Sequence, residues 1–136
     1  MSATATALIY LVMWSVVLTC ALLTVRISAV MRGEKELNGF QADGRDLAGA
    51  GSRITRAHAN SLENLAGAAS LMLLAIASGH TAITDGLAMA LVVCRVVQSG
   101  VHMVSIAKPA VMVRATAFSV QIGIWVYWGW QLCGAK

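Results

Sequence analysis

Charge is scarce in this sequence. Lys and Arg number 10 and Asp and Glu 6 among 136 residues, 12% of the chain, while 58% is hydrophobic and the mean hydropathy is +0.73. Soluble domains carry roughly 25% charged residues, so a small water-exposed globule is excluded. Cysteine is sparse too: Cys20, Cys94 and Cys133 make an odd set with no CxxC spacing and no nearby His pair. That rules against a disulfide framework or a thiolate metal site, and the three are expected as small packing residues, with no metal bound. No Gly-rich phosphate motif and no internal repeat is present. The net charge of +4 needs no nucleic-acid partner, because basic loops beside a membrane explain it.

What is present in abundance is long apolar sequence. A helix needs ~20 mostly apolar residues to cross a bilayer, and four windows qualify, at about 6–30, 57–79, 82–104 and 112–133. None alternates with a period of two, so helices are expected and barrel strands are not. The first window has no Lys or Arg before it and no small-residue cleavage site after it, and "VLTC" resembles a lipoprotein box only loosely; it is expected as a retained helix. The expectation is therefore an all-α integral membrane four-helix bundle, a single domain over residues 1–136, with one long loop at about 31–55.

That loop, "RGEKELNGFQADGRD" at its centre, and the third connection "SIAKPAVMVR", with the sole proline Pro109, hold nearly every basic residue. The turn around His80 and Thr81 has none. The positive-inside bias makes the two basic loops cytoplasmic and puts both termini on the non-cytoplasmic side. The run "IWVYWGWQL" places Trp125, Tyr127, Trp128 and Trp130 where an interfacial aromatic belt is expected.

The polar residues inside the spans carry the functional question. At ~100° per residue, Arg56, Asn60 and Glu63 share one face of the second helix within ~60°, continued by Gly67 and Ser70, with His58 on the other side. Arg95, Gln98, Ser99 and His102 share a side of the third helix. A lone guanidinium at mid-span costs about 3 kcal/mol or more, and Glu63 is the carboxylate at comparable depth, so a Glu63–Arg95 pair is the first expected contact. Arg26 and Arg114 lie near the same membrane face, where snorkelling to headgroups is the plain alternative. Together with Arg53, these residues come from all four helices, and the excess of arginine over carboxylate suits an anionic ligand bearing carboxylates. The competing reading is interhelical glue, with Gly67, Ala68 and Gly100 permitting close helix approach.

"RAHANSLEN", "CRVVQSGVHMVS" and "VRATAFSVQIGIW" together resemble the MAPEG family, the membrane-associated proteins in eicosanoid and glutathione metabolism, and its small bacterial members in particular. The resemblance covers essentially the whole chain. It implies a homotrimer with glutathione, as cosubstrate, held in a cytoplasm-facing pocket between subunits. Arg26, Arg56, Asn60 and Glu63 match the family's glutathione-holding residues, Arg95 opens its third-helix motif, and Arg53 falls beside them. Arg114 is similar to the arginine that stands beside the thiol, and so is the expected catalytic residue. Gln98 stands where many members have histidine and His102 where many have tyrosine; both are counted with the binding residues. Ala59 replaces a further arginine of several mammalian members, and Ala115 to Phe118 lack the hydroxyls of prostaglandin-synthesising ones.

The resulting expectation is a glutathione-dependent membrane transferase or peroxidase acting on lipophilic electrophiles or hydroperoxides. Its alternative is a non-catalytic protein of the same fold that binds a lipid or a partner. A small proton-coupled exporter is disfavoured because "LIYLVMWSVVLTCALLTVRIS" contains no acid.

Overall fold

The computed structural model describes residues 1–135. Four helices follow one another: α1 (Ala3–Met31), α2 (Ala50–Ala77), α3 (Thr81–Val104) and α4 (Lys108–Gly134). Each is long and apolar enough to cross a membrane. The 24 residues of α3 alone span ~36 Å.

The elements start and stop for local reasons. Ser2 caps α1 by accepting from the Ala5 N–H, and from across the bundle Asp85 Oδ1 accepts from both Thr4 N at 2.7 Å and Thr4 Oγ1 at 2.6 Å. The acid of α3 thus satisfies donors in the first turn of α1, where helices leave N–H groups orphaned. At the other end of α1, Gly33 takes φ 69°, its N–H bonding Val30 O while Glu34 N–H bonds Ala29 O. α2 ends in the same way through Gly79 at φ 75°, with His80 N–H reaching Ala75 O. Both are Schellman stops, which favour a glycine in the left-handed conformation.

α2 begins seven residues before its apolar window. Hydropathy marks where hydrocarbon begins, whereas the hydrogen-bonded helix continues into the aqueous layer; the long connection is accordingly residues 32–49. The described ion pairs all lie in that connection: Arg32–Glu34, Lys35–Asp46 and Arg45–Asp43. The hydrogen bond from Arg32 holds the Glu34 carboxyl below its ordinary range.

The core runs between the helices through Ala7, Leu11, Ala68, Met72, Ala88, Leu91, Ile124 and Trp128. Among the described residues the α1 and α4 backbones do not approach closely, so α2 and α3 form the middle of the bundle. The expected aromatic belt divides. Trp128 is 0% exposed in the core, and Trp125 packs on α2, whereas Tyr127 and Trp130 face outward. Four aromatics on a helix cannot share a face, and the bundle claims two of them. Gly67 provides the close approach, since a Cβ there would lie 3.3 Å from Trp125 Cζ3; Gly100 instead faces open space. Cys20 and Cys133 are exposed, not packed in the core.

Candidate functional site

The loop ends of the helices, where α1 stops and α4 starts, carry the arginines. There α2 and α4 diverge and leave a groove of about 500 Å³, lined by Arg56, Asn60, Gln98, His102, Ile106, Val111, Arg114, Ala115 and Phe118. Three basic residues and two side-chain amides face it, and no carboxylate does. The α4 wall is apolar below Arg114, through Ala115 and Phe118. Arg114 Nε is buried without a hydrogen-bond partner among the described residues, so no hydrogen bond within the chain holds that nitrogen.

Behind the groove floor lies a polar network. Arg95, 4% exposed, donates from Nη1 to Gln98 Oε1 at 3.0 Å and to Asn60 Oδ1 at 3.3 Å. Gln98 Nε2 donates to Asn60 Oδ1 at 3.2 Å. Gln121, 0% exposed, donates to Gln98 Oε1 and to its own helix's Ala117 O, both at 2.9 Å. One terminal nitrogen of the buried guanidinium is thus held by two amide oxygens, without a carboxylate partner.

The expected Glu63–Arg95 pair does not form within the chain. Glu63 is exposed on the outer side of α2. At ~100° per residue, Asn60 lies ~40° from Arg56 towards the buried side of the helix marked by Ala57, Ser61 and Ala68, while Glu63 lies ~20° the other way. One turn of difference in depth mattered less than this rotation.

The remaining arginines are placed elsewhere. Arg53 Nε donates to Met103 O at 2.8 Å, tying the start of α2 to the last turn of α3, where carbonyls lack helical partners and a cation is favoured. Arg26 sits 5.2 Å from the Phe40 ring centroid, within cation–π range, in a separate cavity of about 330 Å³ with Leu23, Ile27 and Leu37. His58 turns to Thr19 of α1, its Nε2 3.1 Å from the hydroxyl. The structure therefore gathers Arg56, Asn60, Gln98, His102 and Arg114 at one groove, sets Arg95 behind its floor, and leaves Arg26, Arg53 and Glu63 outside it. Among the described residues no cluster of His, Cys, Asp or Glu could hold a metal ion.

Gln121 is the residue that sequence reasoning passed over. Its signal was available: a single amide in the apolar run "AFSVQIGIW", seven residues after Arg114 and thus on nearly the same helix face.

Neither a curated protein nor a solved structure matches the chain. The family model described as "MAPEG family" matches residues 4–134, nearly the whole sequence, and it does so across all four helices and the groove between them. The chain is an integral membrane protein of the MAPEG family, the proteins of glutathione and eicosanoid metabolism.

Proposed function

We propose that the protein is a glutathione-dependent membrane transferase or peroxidase working as a homotrimer, with its basic end in the cytoplasm and both termini on the opposite side. The observation that carries this reading is the groove itself, cationic on its walls, free of carboxylate, and within the usual size range of small-molecule sites. Glutathione offers two carboxylates, one of which suits a guanidinium fork at Arg56. Its ammonium has no acceptor in the groove. Glu63 and Arg26, outside the groove of their own protomer, supply the missing carboxylate and a further cation if a neighbouring subunit brings its α1–α2 face against the groove.

Arg114, with its unpartnered Nε, stabilises the thiolate, and the thiol proton passes to water. The sulfur then forms a bond to an electrophilic carbon while the leaving group departs with its bonding pair. With a hydroperoxide, the thiolate attacks the terminal oxygen and the O–O bond breaks to release an alcohol. The resulting sulfenic acid is resolved by a second glutathione, giving the disulfide and water. Phe118, Ile106 and Val111 offer an apolar wall to a substrate arriving through the bilayer.

A non-catalytic, ligand-binding role is favoured by one observation only, the absence of a hydroxyl from the α4 wall beside Arg114. Calorimetry of glutathione added to the detergent-purified full chain, paired with conjugation of a model electrophile, tests both. Saturable heat with thiol-dependent conjugation supports the transferase; heat alone supports the binding protein; no heat removes glutathione from the account.

A further inference from the structure

Asn60 and Gln98 line the groove, yet the residues that decide which way their amides point do not. A guanidinium only donates, so Arg95 Nη1 obliges Gln98 Oε1 and Asn60 Oδ1 to turn inward. Gln121 Nε2 reinforces the choice by donating to the same Gln98 oxygen, and it cannot itself be reversed, because Ala117 O is also an acceptor. Each inward oxygen therefore receives two donors, and Gln98 spends one N–H on Asn60. What remains is donor capacity: both N–H bonds of Asn60 Nδ2 and the second of Gln98 Nε2 make no hydrogen bond among the described residues, and both side chains border the groove.

We infer that Arg95 and Gln121 are positioning residues that lock Asn60 and Gln98 into a donor-only floor, which selects a ligand laying a carbonyl or carboxylate oxygen against it. The inference deepens the assignment of the groove to glutathione and rests on it for the ligand's name. The polarity of the floor stands without that name. On the far side of Gln121, its Oε1 has no partner in the chain and meets a void of about 10 Å³ lined also by Ser15, Ser61 and Asn64. That is room for about one water. A water there would donate to Oε1 and hold Gln121 in the same orientation.

The experiment uses the full-length protein in detergent and the variants Gln121→Met and Gln121→Glu. Methionine removes one of two donors to Gln98 Oε1 and leaves Arg95 to hold it. Ionised glutamate accepts from Arg95 and from Gln98, so Arg95 no longer holds the two amide oxygens inward; Gln98 then turns its NH2 to the carboxylate and its oxygen towards Asn60, reversing the floor. The expected result is a KM for glutathione raised by about tenfold or more in Gln121→Glu and less in Gln121→Met. The kcat at saturating glutathione should be unchanged, because Arg114 is untouched. A merely structural role would lower kcat, through loss of folded enzyme, and leave KM alone; that pattern overturns the inference.

A second readout needs no glutathione. With asparagine 15N-labelled, the side-chain NH2 signal of Asn60, assigned by its loss in Asn60→Asp, should exchange rapidly with water in the parent and slowly in Gln121→Glu. An Asn60 signal that is the same in both proteins overturns the inference whatever the ligand. If the parent binds no glutathione but the Asn60 signal responds as expected, the functional assignment fails and the positioning inference stands.

Discussion

At the scale of the residue, the arginines divide by what satisfies them. Arg53 has a helix carbonyl, Arg95 has amides, and Arg114 has an Nε with nothing in the chain to bind. Arg114 lines the groove and its Nε is held by nothing in the chain, so Arg114→Ala should lower conjugation of a model electrophile by about 10²-fold, the scale of losing one directed donor from an active site. Glutathione affinity should change less, and a parent-like rate in the variant would remove Arg114 from the chemistry. Asp85 makes a different kind of contribution. Its Oδ1 holds two donors of Thr4, so Asp85→Ala strands the Thr4 N–H and leaves the hydroxyl only Thr84 Oγ1, which should cost about 1–3 kcal/mol in thermal unfolding in detergent. Asp85→Asn keeps an acceptor oxygen and should recover much of that loss. Residue types and helix faces were legible in the sequence: Arg56, Asn60, Gln98, His102 and Arg114 were all identified and do meet. Pairings were not. Whether Arg95 turns to Glu63 or to Asn60 depends on some tens of degrees of helix rotation, which a repeat of three and four residues does not fix, and an amide oxygen serves a guanidinium as readily as a carboxylate does when it is already in place.

Elements tell the same story with a different limit. Four helices follow from hydropathy alone, and their order and the polar stripe on α2 follow with them. The start of α2 at Ala50 does not, because Arg53, Thr55 and Arg56 lower the hydropathy of a segment that is helical all the same. Nor does the choice of which tryptophans enter the core, since the apolar run of α4 carries them on all sides and only its neighbours decide. Gly67 shows how close that decision is. Alanine there would require Trp125 to yield by a few tenths of an ångström, whereas leucine would place a branched side chain where the indole lies. Gly67→Leu should therefore cost about 1–3 kcal/mol by overpacking and widen the α2–α4 groove. Gly67→Ala should stay close to the parent. Thermal unfolding separates the two, and equal melting of Gly67→Leu and the parent would mean that α2 and α4 do not depend on this contact.

For the whole molecule, the open account is Glu63. It lies six residues, ~9 Å, below the start of the apolar window of α2, and it faces outward beside the exposed Leu62. A carboxylate facing lipid costs up to about 2.5–3.5 kcal/mol at mid-span and less towards the headgroups, so a protomer alone in a bilayer would carry part of that cost with nothing to offset it. The flank of α1 is also bare, with Ile9, Met13, Val17 and Ile27 outward. In the proposed trimer, an α1–α2 face seated against the next subunit's groove would remove Glu63 from lipid, bring Arg26 towards Arg114, and complete the proposed ligand's ammonium site in one step. The mass of the detergent-solubilised protein, by light scattering corrected for detergent, should then be that of three chains. Glu63→Leu distinguishes what the carboxylate faces. If it serves the bound ligand, the variant stays trimeric and loses glutathione affinity by about tenfold or more, the scale of a lost charge-assisted contact. If it faces lipid, the same substitution removes a penalty, and the variant should melt higher than the parent with glutathione binding unaltered, an outcome that would place the ammonium site elsewhere.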